Sequence, residues 1–470
     1  MELTLNSLLT ATKGNLIKGS DMVFSGVSID SRTIKRGEAF FAIRGDRFDG
    51  HDFIGDALHN GASVIMLEKM PTTIPSELIQ DRALVMVNDT RKALGSLASF
   101  WIQGHKIKVI AISGSCGKTT TKEMVSSILS SYRILKTQGN LNNDIGLPMT
   151  IFRTKEGHEL AVLELGISKK GEMAGLVDMI HPDIALITNI GRGHLAGFGD
   201  LNTVSQEKAE LFRGLKSKGT AIVNMDDPLI MEVAKGTNAR KITYGTDKSA
   251  DVALKSYTIR GHKGIDFNVS VMGKEREAKL NLVGVHNLTN ALSAIAVALS
   301  LDVNWEDVRA GLADFVPPGG RMQMISLRNG IKVIDDTYNA NPTSMEVSLK
   351  TLAQVKGKEK GIAVLGDMLE LGKESDKAHR EIGILAADLG IDQLFYMGRY
   401  GDAVAKGALL RGMNGGRVRC TDRKEDILPE LIDMVRGGEW ILIKGSRGME
   451  MESIVSDLKD YFKDLKEYFH

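Results

Sequence analysis

The chain has 470 residues, 43% hydrophobic and 25% charged, with a net charge of +1. Its length predicts about two to four domains, and its neutral balance excludes a global field for nucleic acid or an anionic membrane. Two cysteines far apart, Cys116 and Cys420, exclude a disulfide framework and make a reducing cytoplasm the expected compartment.

Residues 1 to about 100 mix short strands (39–43, 62–67, 84–87) with short helices. Met1 to Asn6 lack a basic leader, so no signal peptide is expected. From about residue 101 the pattern becomes strand, helix, strand, with strands predicted to end at Ile112, Leu135, Leu165, Ile190 and Val223. Such a series predicts a mostly parallel, doubly wound sheet. Apolar and polar residues alternate over 264–271, and hairpins are predicted across 251–284. Helices are expected over 287–299 and 304–312. The longest apolar runs, such as 292–301, fall far short of the ~20 residues that cross a bilayer, so no membrane insertion is expected. Val316-Pro317-Pro318-Gly319-Gly320 has linker composition, with Gly319-Gly320 a candidate hinge. A second α/β series follows, with strands at 332–335, 362–365, 393–397, 417–421 and 440–443. The predicted domains are 1–100, 101–317 and 318–470.

Residues 112–121, Ile-Ser-Gly-Ser-Cys-Gly-Lys-Thr-Thr-Thr, carry the densest chemistry. A β-branched strand precedes them and a helical pattern follows, the setting of a phosphate-binding loop. Gly114 and Gly117 let the backbone approach an anion, and N–H groups at a helix start face it. Lys118 is placed to reach terminal phosphates, and the Thr119 hydroxyl to sit on Mg2+. The usual first glycine of the pattern is replaced by Ile112. Cys116 reads as a small loop filler, or as a thiol whose pKa is lowered at a helix start.

Other polar residues fall at predicted strand ends, where ligands of parallel sheets bind. Glu164 is either a solvated strand end or a Mg2+ ligand. His194, after Thr188-Asn189-Ile190-Gly191, is either structural or a metal or phosphate contact. The loop Gly139 to Gly146 holds Asn140, Asn142 and Asn143, which serve a turn or an anionic ligand. Lys208 reads as an exposed lysine of a charged helix. Asp335-Asp336-Thr337-Tyr338-Asn339-Ala340-Asn341 forms a polar strand mouth, and 366–372 and 444–448 stand at equivalent positions.

Taken together, these strings resemble the Mur ligase family over nearly the whole chain. Asp30-Ser31-Arg32 and Phe41 to His51 look like its UDP-sugar-binding domain, and Gly114 to Thr120 like its shortened phosphate loop. The strings 139–148, 335–345 and 364–372 are closest to the members that use D-alanyl-D-alanine. The Asp-Asn-Pro-Arg string usual in the diaminopimelate-adding members does not occur.

The resemblance implies three α/β domains: a small UDP-binding domain, a central phosphate-loop ATPase domain and a Rossmann-like third domain. It implies that ATP phosphorylates the carboxylate of a UDP-N-acetylmuramoyl-tripeptide and that the amine of D-alanyl-D-alanine attacks the acyl phosphate. By resemblance, ATP is bound by Gly114, Ser115, Cys116, Gly117, Lys118, Thr119, Thr120, Asn287, Asn290 and Arg321. Mg2+ is held by Thr119, Glu164, His194 and a carbamylated Lys208. The UDP-sugar side comprises Ser31, Arg32, Arg44, Gly45 and Asp46. Asn140, Asn142, Asn143, Asp336, Asn339 and Asn341 complete the substrate face, and a monomer is expected. Arg192 stands where the family often has an acidic or small residue. The nearest alternative is a ligase adding one amino acid, a sister Mur or folylpolyglutamate type, against which the 335–345 string argues. A regulatory nucleotide-binding module is of a different class, and it needs fewer polar strand ends.

Overall fold

The computed structural model describes residues 3–45, 47–70, 76–193 and 195–462. Three sheets organise them. The first contains β1 (Asn15–Lys18), β2 (Val27–Ser28), β3 (Ala39–Phe41), β4 (Val64–Leu67) and β5 (Ala83–Met86), in the order β1-β5-β4-β3-β2. Only β1 is antiparallel. The middle sheet contains β6 (Lys108–Ser113), β7 (Ile134–Lys136), β8 (Leu160–Glu164), β9 (Ile184–Ile187), β10 (Thr220–Asn224) and β11 (Arg240–Gly245). It continues through β12 (Val252–Ile259), β13 (Ile265–Val271) and β14 (Lys274–Leu280). Its order is β14-β13-β12-β11-β10-β9-β6-β8-β7. The pairs β12–β13 and β13–β14 are antiparallel, the hairpins expected from the alternation at 264–271. The third sheet contains β15 (Gln323–Ser326), β16 (Lys332–Asp335), β17 (Gly361–Gly366), β18 (Gln393–Met397), β19 (Val418–Thr421) and β20 (Trp440–Lys444), in the order β15-β16-β20-β17-β18-β19.

The strand period of two divides the middle core. On β6, Ile110 and Ile112 join the apolar cluster that runs into the third sheet through Met345, Leu349 and Leu365. Val109 and Ala111 join the other cluster, which runs through Leu94, Leu97 and Trp101 into the first sheet. The Thr90–Gly104 helix makes that second connection, and it runs across residue 100. Asp89 caps it by accepting the Lys92 N–H at 2.9 Å.

Each sheet leaves its functional loops at the carboxyl ends of parallel strands. From β6 the chain crosses outward to β7 and β8, then returns past β6 to β9. The strand order therefore reverses direction at β6, with β8 on one side and β9 on the other, the topology that opens a ligand crevice. The predicted strand ending at Ile190 stops earlier, at Ile187, because Thr188 and Asn189 turn toward the loop after β6. The linker also gains structure: the Gly320 carbonyl accepts the Tyr338 N–H at 3.0 Å. Among the described residues, no helix is long and apolar enough to cross a membrane.

Candidate functional site

Gly117 takes φ +80° and caps the Lys118–Ile128 helix, so the loop turns with its N–H groups toward one point. Two asparagines and a threonine fix that turn from outside it. Asn189 accepts the Cys116 N–H at 2.9 Å and donates to the Cys116 carbonyl at 2.9 Å. The Thr188 hydroxyl donates to the same carbonyl at 2.6 Å. Asn290 lies beneath Gly117, where a Cβ would come within 2.6 Å of its Oδ1. The Thr121 hydroxyl donates to that Oδ1, and Asn290 Nδ2 donates to Asn287 Oδ1 at 3.0 Å. Asn287 thus stands behind Asn290, both buried. Thr120 is half-buried in the first helical turn.

Lys118 folds back so that its Nζ donates to the Gly114 carbonyl at 2.8 Å. Burial lowers its pKa, partly offset by Glu164. The Thr119 hydroxyl donates to Glu164 Oε2 at 2.7 Å, and Asn142 donates to Oε1 at 2.9 Å. Glu164 closes β8 and is 2% exposed, so both its oxygens are aimed. Of the loop asparagines, Asn140 and Asn143 are exposed; Asn143 caps the turn by accepting the Gly146 N–H. The Cys116 thiol is pushed up by burial, not lowered by the helix start, which favours the filler reading.

Lys208 is not an exposed lysine. It lies in the Leu201–Arg213 helix at 4% exposure, without a hydrogen-bonding or ionic partner among the described residues. Burial, then the Lys118 charge, holds its pKa well below the usual lysine value. His194 and Asp46 lie outside the described residues.

The third sheet closes the site from the far side. Asp336 accepts from Met322 N at 3.1 Å, Ser348 Oγ at 2.6 Å and Lys444 Nζ at 2.5 Å. Lys444 also donates to the Asn339 carbonyl at 2.9 Å, which fixes the loop after β16. Asn341 Nδ2 reaches the Ser115 carbonyl at 3.4 Å and joins the two domains at the phosphate loop. The Arg321 guanidinium stacks on Tyr338 at 3.8 Å, and its charge acts on both Cys116 and Lys118.

On the first sheet, the residues after β2 and β3 share one edge, because those strands are parallel neighbours. Arg32 is exposed and bonded to Asp30, whose pKa it lowers to about 2. Ser31 is buried, and its carbonyl accepts from Asn60 at 2.8 Å. Arg44 pairs with Asp49 at 3.4 Å, and the Gly45 N–H donates to Phe48. Arg91 links this edge to the middle domain, donating to the Arg44 carbonyl at 3.3 Å and pairing with Asp144 at 3.1 Å. Arg91, Thr188 and Lys444 carry roles that their sequence context does not single out; the one cue was that the last two fall at strand ends.

Comparison with known proteins places this geometry. Residues 23–101 match the Mur ligase family catalytic domain, 112–298 the Mur ligase middle domain and 320–447 the Mur ligase glutamate ligase domain. The UDP-N-acetylmuramoyl-tripeptide–D-alanyl-D-alanine ligase of Bacillus subtilis is 35% identical over 97% of this chain and 98% of its own. A crystal structure of MurF from Acinetobacter baumannii superposes with a TM-score of 0.88 at 33% identity, covering 98% of this chain and 99% of that one. MurF from Thermotoga maritima in complex with ADP gives 0.82 at 28% identity, covering 93% and 97%.

Proposed function

Because the chain belongs to the Mur ligase family, we propose that it joins D-alanyl-D-alanine to UDP-N-acetylmuramoyl-tripeptide at the expense of ATP. The observation that carries this reading is the Asn341–Ser115 contact, which sets the polar mouth of the third domain against the phosphate loop. In this reading residues 1–100 hold the UDP-sugar, 101–317 hold ATP and 318–470 hold the dipeptide, in a monomer of the cytoplasm.

A carboxylate is a poor electrophile, so it is first converted to an acyl phosphate by transfer of the γ-phosphoryl group, with ADP leaving. The dipeptide amine then adds to the carbonyl carbon, phosphate and a proton depart, and the amide remains. Both steps need negative charge neutralised and partners held in line. Lys118 swings from the Gly114 carbonyl to the terminal phosphates. The N–H groups of Gly117, Lys118 and Thr119 receive the phosphate oxygens. Asn142 keeps Glu164 aimed. Asn287, Asn290 and Arg321 complete the nucleotide site.

The Thr119–Glu164 pair fits Mg2+, which takes one or two protein oxygens and fills its shell with phosphate and water. When bound, Mg2+ neutralises the charge that builds on the transferring phosphoryl group. Lys208 fits a carbamate: burial favours its neutral amine, the form that adds CO2 with loss of a proton. With His194 it would then serve a second cation.

The deciding measurement is phosphate release from ATP and UDP-N-acetylmuramoyl-tripeptide, with and without D-alanyl-D-alanine. Release strictly dependent on the dipeptide is expected; release that ignores it, or that accepts free amino acids equally, refutes the reading. For the carbamate, Lys208→Ala should lose most activity and regain part of it with short carboxylates. Full activity in that variant removes Lys208 from the mechanism.

A further inference from the structure

Beside the phosphate loop, where the middle and third domains meet, lies a pocket of about 200 Å³. Arg192 and Asp200 line it from one side, and Pro342, Glu374, Lys377 and Glu381 from the other. Both walls begin one residue from a partner of Ser115. Arg192 follows Gly191, whose N–H and carbonyl both bond the Ser115 hydroxyl, at 2.9 and 3.0 Å. Pro342 follows Asn341, which bonds the Ser115 carbonyl.

The pocket's two cations are loosely held. Arg192 stands 3.7 Å from Glu381 and Lys377 4.0 Å from Glu374, all four side chains largely exposed. Exposed pairs at such distances contribute little, so an incoming anion can displace the glutamates readily. Asp200 is committed elsewhere, since its carboxylate caps a helix by accepting the Thr203 N–H at 2.7 Å. One cation comes from each domain, and a ligand held by both is held only when the domains are together.

We propose that Arg192 and Lys377 bind the C-terminal carboxylate of the incoming D-alanyl-D-alanine, releasing Glu381 and Glu374. This rests on the ligase reading above and adds a source of its selectivity. A two-residue peptide spans at most about 7 Å, and one amino acid about half of that. A dipeptide thus carries its carboxylate about one residue farther from its amine than a single amino acid does, and two cations set at that depth would select it. An arginine at 192 is then a ligand for the acceptor and leaves the phosphate loop to its own lysine.

The test pairs variants with a substrate that lacks the charge. Initial rates are measured for wild type, Arg192→Gln and Lys377→Met with D-alanyl-D-alanine and with its C-terminal carboxamide. Both residues are on the surface, so folding is not at stake. Each variant should raise the KM for the dipeptide about tenfold, as expected for a lost charged hydrogen bond, and leave the KM for ATP alone. With the carboxamide, wild type should already show the raised KM, and the variants should add nothing. Dipeptide KM values unchanged in both variants, an equal rise for ATP, or the same loss with the carboxamide overturns the assignment. Wild-type protein that ignores the dipeptide altogether overturns the ligase reading instead, and the assignment with it.

Discussion

Gly117→Ala puts a methyl group where the phosphate loop has no space for one. The residue sits at φ +80°, and a side chain in that left-handed region costs about 1–2 kcal/mol. The new Cβ would also lie 2.6 Å from Asn290 Oδ1, so Asn290 must move. Its displacement disturbs the bonds from Thr121 and to Asn287, worth about 1 kcal/mol net. The total of about 2–3 kcal/mol corresponds to about 30- to 150-fold in an equilibrium constant. The chain can distribute this penalty in two ways. If the loop keeps its shape, stability falls; if the loop relaxes, its N–H groups leave the phosphates and nucleotide affinity falls. Urea unfolding and calorimetric ADP binding, measured on the same preparation, should together account for the total. An unfolding midpoint and an ADP Kd both unchanged would refute the account of the loop.

Three further outcomes are expected. Asn189→Ala removes two of the three bonds that hold Cys116 and should weaken ATP binding about tenfold, at about 1 kcal/mol or more for the N–H left unpaired; an unaltered KM for ATP would show that Thr188 alone suffices. Asp336→Asn leaves the Lys444 ammonium buried without its counter-charge and should cost about 3–5 kcal/mol in urea unfolding, with part of the loss recovered on adding Lys444→Met; a loss below about 1 kcal/mol would mean that the pair is not sealed from water. Burial lowers the pKa of His286 from 6.5 to about 4, with Asp336 opposing and Lys444 assisting. The unfolded chain therefore takes up this proton first, and stability falls as pH drops through that window. His286→Gln should flatten the decline measured between pH 7 and 5, and an identical slope would assign it to other groups.

The phosphate loop was legible in the sequence because its chemistry is local: Gly114, Gly117, Lys118 and Thr119 must be neighbours to act. Glu164 and Asp336 were legible for a related reason, since parallel strands deliver their last residues to one edge. The strand 332–335 matched to the residue because two β-branched residues, Val333 and Ile334, stand between Lys332 and the acid that ends β16. In contrast, β1 is almost wholly exposed and β2 has two residues, so neither carries a pattern. Lys208 looked like any lysine of a charged helix, for burial is decided by what packs on it. The partners of Arg192, Arg91 and Lys444 are distant in sequence and charged or polar, a combination that no periodicity marks.

The alternation along β6 has one more consequence. Ile110 and Ile112 pack toward the third sheet, and Val109 and Ala111 toward the first. Parity is thus an address: trimming Ile110 should loosen one neighbour, and enlarging Ala111 should strain the other, a few ångströms away through the same backbone. Inserting one residue into this strand would exchange the two addresses at a stroke. Single substitutions can test the two faces separately, whereas the spacing of the strand itself has no freedom to drift.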